Sequence, residues 1–262
     1  MSLPSPEGPL PSSRPPINEP AWRLRATEAI AEGAIETLRE LVTDVGDPLD
    51  ASLLGSRACG VWWSPGTETV APGVVVERRV GRCYAAVLER QGDAVSLAAL
   101  RALQLGGSNG VVPEARAAGD RLAATGVDEP SWWLGDARPR ARRGARLCWE
   151  AGAHRFTSFL LETEHLGLVV TLGVAAQQDR SGVAGDVALF ADLDWFGEAL
   201  REAHDEGPRL ERATVSSVCR QIRRTIERTD LLGTGDPPGQ CDPERDYAAL
   251  RGLAQRWTTG PA

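Results

Sequence analysis

Lysine is absent: all 29 basic side chains of the chain are arginine. That excludes Schiff-base catalysis, a phosphate-gripping lysine of the Walker type and any modification of an ε-amine. The five cysteines (Cys59, Cys83, Cys148, Cys219 and Cys241) are odd in number and include no C-x-x-C pair. The histidines, His154, His165 and His204, do not stand at zinc-ligand spacings. Neither a disulfide framework nor a structural zinc site is expected. Cys59, Cys83 and Cys219, set among apolar residues, read as buried thiols in a reducing compartment. No apolar run approaches the roughly 18 residues of a membrane span. The stretch MSLPSPEGPLPSSRPPINEP has neither the basic start nor the apolar centre of a secretory signal, so a cytoplasmic location is expected.

What is present suits a folded protein: 262 residues, 42% hydrophobic and 25% charged, with a net charge of −7. The length accommodates two domains, and the acidic balance disfavours a dedicated nucleic-acid binder. Residues 1–20, rich in Pro and Ser, bury too little apolar surface to offset the entropy of ordering, which predicts a flexible tail.

Beyond the tail the periodicity is helical. Ile30, Ala34, Leu38, Leu41 and Val42 share one face of a helix over 22–42. Asp47 followed by Pro48 is a cap and first-turn pair for a second helix. Residues 74–90 fit a helix better than a strand, and further helices are expected over 95–105 and from Pro113 to about 125, with Gly126 as the stop. Short connections between these segments suggest stacked helical hairpins. The Arg-rich stretch 136–144 then reads as a linker. Strand-like segments follow at 146–150, 156–163 and 166–175, the last two joined as a hairpin through Glu164-His165. Helical pattern returns at 193–204, 215–230 and 243–257, with a short strand over 209–213. The expectation is an α+β protein: a mainly helical domain over 21–135, and a small antiparallel-sheet domain over 145–262.

Four constellations invite chemistry. Asp186, Asp192 and Asp194 form a candidate acidic site for Mg²⁺ or general acid–base work, although acids before a helix also serve as caps. Asp44, Asp47 and Asp50 recur every three residues at a helix start, where capping is the simpler reading. Arg138, Arg140, Arg142, Arg143 and Arg146 form the densest basic run and a candidate phosphate grip, with no aromatics between them for a stacking platform. Arg220, Arg223, Arg224 and Arg228, with Glu227 among them, read as a polar helix face.

A further constellation is aromatic. Eight tryptophans against four phenylalanines and two tyrosines make Trp62, Trp63, Trp132 and Trp133 candidate interaction anchors. Gly106-Gly107-Ser108-Asn109-Gly110 matches G-x-S-x-G, with Asp136 and His154 in a workable order after it. A helix rather than a strand is expected before it, which is the wrong setting for a nucleophile elbow.

The stretches Asp44-Val45-Gly46-Asp47-Pro48-Leu49-Asp50, Gly182-Val183-Ala184-Gly185-Asp186-Val187 and Asp242-Pro243-Glu244-Arg245-Asp246-Tyr247 resemble uncharacterised proteins of high-GC actinobacteria. That resemblance implies a bacterial cytoplasmic protein and assigns no activity. The sequence therefore favours a non-catalytic interaction or regulatory protein that needs no cofactor and whose partner is another protein. The alternatives are a carboxylate- and Mg-dependent hydrolase or transferase, and phosphate or RNA binding through the arginine run.

Overall fold

Two helix starts in the N-terminal half coincide with side chains that satisfy free amides. In the computed structural model, which describes residues 21–60, 73–135, 139–151, 154–165, 168–178, 182–203, 210–232 and 247–259, α1 spans Ala21–Val42 and α2 spans Pro48–Gly60. Asp47 Oδ1 accepts from the amides of Leu49 at 2.8 Å and Asp50 at 2.9 Å, the cap its position predicted. α3 (Gly73–Gln91) is a helix along its whole length. Val80, Tyr84 and Leu88, four residues apart, lie on its buried face, and the Tyr84 hydroxyl donates to Ala58 O at 2.7 Å. α4 (Ala94–Gly106) is capped by Asp93, which accepts from Ser96 N at 2.7 Å. α5 (Val112–Ala124) buries Ala115, Ala118 and Leu122 and ends just before Gly126, whose φ of +93° suits glycine. The residue 1–20 tail, Trp62-Trp63 and the Asp242-Pro243 start signal lie outside the described residues.

The second half is built on one antiparallel sheet of five strands in the order β4-β3-β2-β1-β5. Its members are β1 (Arg140–Ala151), β2 (His154–His165), β3 (Leu168–Gln177), β4 (Val183–Phe190) and β5 (Leu210–Ala213). Two expectations need correction. β1 begins at Arg140, so Arg140 to Gly144 are strand and not linker; their arginines sit on a strand because carboxylates on β2 face them. Glu164 and His165 are the last residues of β2, paired with Val169 and Leu168, and not the hairpin turn. β4 has no counterpart in the sequence reading, because Gly185 and Asp186 break its apolar pattern.

Helices cover both sheet faces. α6 (Leu193–Ala203) lies on the side of Ala145 and Leu160, with Leu193 and Phe196 turned inward. α7 (Val215–Leu232) lies on the other side, where Val218, Cys219, Ile222 and Ile226 meet Leu161, Leu172, Val174 and Val187. The final helix, α8 (Tyr247–Thr258), packs on α7 and β4 and also on α2 and α4. Leu250, Leu253 and Ala254 are fully buried, as a helix enclosed on all sides requires. Small residues set the approach: a Cβ on Gly252 would stand 2.7 Å from Gly106 O, and one on Gly60 would collide with Ala248 O. Leu253 N donates to Ser56 Oγ at 3.0 Å across the same contact. No helix among the described residues is long and apolar enough to cross a membrane.

Candidate interaction surface

The antiparallel register decides what the arginine run does. Arg143 sits opposite Glu162, Arg140 opposite Glu164 and Arg146 opposite Glu211. Opposite charges across neighbouring strands attract, and a guanidinium can engage a carboxylate through two parallel bonds. Arg143 does so with Glu162, at 2.8 and 2.5 Å, and reaches on to Asp194 at 2.8 and 3.0 Å. Arg146 meets Glu211 at 2.5 Å, and Arg142 stands 3.8 Å from Glu164. The run is therefore largely paired with carboxylates of the same chain. Arg140 is exposed, and Arg138 lies outside the described residues.

Glu162 is the centre of this network. Its side chain is almost wholly buried, yet it takes charge-assisted bonds from Arg143 and one from the amide of Leu193 at 3.1 Å. The Arg143 hydrogen bond, opposing the effect of burial and aided by the Leu193 amide, holds the Glu162 carboxyl below its ordinary range. Asp194 is lowered too, again first by Arg143. The same contacts raise the Arg143 guanidinium.

The candidate acidic site is divided by these roles. Asp192 Oδ1 caps α6 by accepting from Trp195 N at 2.8 Å, Asp194 pairs with Arg143, and Asp186 lies on β4 opposite Ala175. Among the described residues no group of three or more His, Cys, Asp or Glu side chains is placed to hold a metal ion, so the residues present do not fit the Mg²⁺ site that the spacing suggested.

The tryptophan anchors divide as well. Trp132 is 5% exposed and belongs to the core of the helical layer, which corrects its reading as a surface anchor. Trp133 lies partly buried beneath Arg101, whose guanidinium carbon is 4.6 Å from the ring centroid. Arg101 is fixed in turn by Glu129 and Asp120. Trp62 and Trp63 lie outside the described residues. Among the described residues, the tryptophan that faces outward is Trp195, 54% exposed in the first turn of α6 beside Asp194. It was missed although a signal existed: Leu193 and Phe196 must face the sheet, and helical geometry then turns Trp195 away.

Ser108 is fully buried in the α4–α5 loop, with a helix before it, as expected. Its Oγ has no hydrogen-bond partner among the described residues, and its amide points to the Cys59 sulfur. Burial pushes the Cys59 thiol up to about 12, so it is held neutral. Neither the strand–turn–helix setting nor an exposed oxygen is present, and the nucleophile elbow is not formed. Beside this loop Arg251 joins Glu77 to Asp230, binding the latter bidentately at 2.5 and 2.6 Å; it fastens α8 to α3 and α7.

Fold and surface together define an α+β protein with a mixed-charge, tryptophan-bearing patch where α6 meets the sheet. No protein-family model matches the chain, and no curated protein or solved structure is significantly similar to it.

Proposed function

We propose that this is a non-catalytic interaction or regulatory protein whose partner is another protein, bound at the start of α6. The observation that carries this reading is Trp195, half exposed beside the Arg143–Asp194–Glu162 network. Tryptophan and arginine are enriched among the few residues that dominate protein–protein affinity, since each offers a large rigid surface with a polar handle. Here the arginine is already held in place by buried Glu162, so little side-chain entropy remains to be lost on binding. Arg142, Arg140 and Glu164 supply a polar rim at the same end of the sheet. The resemblance to actinobacterial proteins and the acidic composition support a bacterial cytoplasmic setting.

Affinity capture with the full chain and with Trp195→Ala, read by quantitative mass spectrometry, tests the reading. A near-stoichiometric partner that falls by about tenfold or more with the variant, as for a hot-spot residue, supports it. If the variant melts like the parent and keeps every partner, this patch is not the interface.

A further inference from the structure

The outer face of α7, on the side of the sheet opposite α6, is a second and independent surface. α7 turns Val218, Cys219, Ile222, Ile226 and Thr229 toward the core. That geometry leaves Arg220, Arg223, Arg224, Glu227 and Leu231 exposed. At one turn per 3.6 residues, Arg220, Arg224, Glu227 and Leu231 fall on one line about 16 Å long, with Arg223 alongside. Leu231 is 83% exposed, the most open of the large apolar side chains described.

Part of the arginine complement of the molecule is paired within the chain and part is not. Arg39, Arg82, Arg121, Arg143, Arg146 and Arg155 each meet a carboxylate of this chain. Arg220, Arg223 and Arg224 have no ion-pair partner among the described residues. Three like charges within two turns of one helix repel one another; Glu227, three and four residues beyond Arg224 and Arg223, offsets part of that repulsion, and an external anion relieves the rest.

We infer that this face docks an acidic helical segment of another protein, with carboxylates at three- and four-residue spacing against Arg220, Arg223 and Arg224 and an apolar residue against Leu231. The guanidinium fork matches a carboxylate bidentately, and a facing helix presents carboxylates at the same rise per turn. Two observations favour a protein segment over a nucleic acid. A phosphate backbone offers nothing apolar to Leu231, and the net charge of −7 repels a long polyanion more than a short acidic helix.

The test uses the full chain and three fluorescent probes followed by anisotropy. One is a helical peptide of four turns with glutamates at i, i+4 and a terminal leucine, one is its glutamine counterpart, and one is a short single-stranded RNA. The glutamate peptide is expected to bind, and to weaken as salt rises from about 50 to 200 mM. Its affinity should fall by about tenfold in the triple variant Arg220→Glu, Arg223→Glu, Arg224→Glu, the combined effect of three exposed pairs. Leu231→Ser should weaken it separately, and a lysine-bearing peptide should bind the triple variant instead. Because the substituted side chains are exposed, circular dichroism melting should be unchanged. Equal binding of the glutamine peptide, an unaffected triple variant, absence of binding at low salt or preferential binding of the RNA would each overturn the inference. None of these outcomes bears on the Trp195 patch.

Discussion

His165 lies at the end of β2, 5% exposed, and neither ring nitrogen has a hydrogen-bond partner among the described residues. Burial, and then the charge of Arg256, lower its pKa, so the native state holds it neutral. In the unfolded chain it takes up a proton near the ordinary value of about 6.5. Above that pH both states are neutral and no penalty exists. As pH falls below it the unfolded state binds a proton that the native state refuses, and stability declines until the lowered native value is reached. The slope from this one group is at most about 1.4 kcal/mol per pH unit. Urea melts from pH 7.5 down to about 5 should show the decline, and His165→Leu should flatten it; an unchanged slope in the variant would place the proton elsewhere. At this scale the sequence was half legible. It contained both Arg143 and Asp194, but as members of two separate candidate sites. Only the pairing of residues 51 apart shows that each neutralises the other.

Helices carried the clearest signals, because capping and apolar periodicity are local. Asp47 and the buried line Val80–Tyr84–Leu88 are readable from neighbouring residues alone. Strands were harder. β4 is held by pairing with β3 and by Thr229, 45 residues further along the chain, whose Oγ1 accepts from Ala184 N at 2.7 Å. β1 extends to Arg140, with Glu162 and Glu164 of β2 facing its arginines across the register. Close helix contact gives a sharp prediction in two directions. Gly252→Ala puts a Cβ 2.7 Å from Gly106 O, backbone that cannot yield easily, and should destabilise by about 1–3 kcal/mol. Gly33→Ala, on α1 with nothing within 4 Å of the added carbon, should instead stabilise by about 0.5–1 kcal/mol. Denaturant midpoints at constant m-value give both signs, and equal effects at the two sites would refute the packing argument.

For the molecule as a whole, α8 is the joint. It was legible as a helix, yet its sequence neighbours pointed to the sheet and gave no hint that it also rests on α2 and α4. Removing residues 247–262 should leave the α2–α4 surface and one end of the sheet uncovered. The expected outcome is loss of a cooperative thermal transition, with strong binding of a hydrophobic dye; a truncated chain that still melts sharply would show the helical layer to be self-sufficient. The contact between Ser56 and Leu253 spans 197 residues of chain. At about 5–20 residues per second, a ribosome takes about 10–40 s to travel that distance. For that interval the nascent helices offer an open, glycine-lined groove awaiting its natural occupant, and it is then that a chaperone has the most to shield.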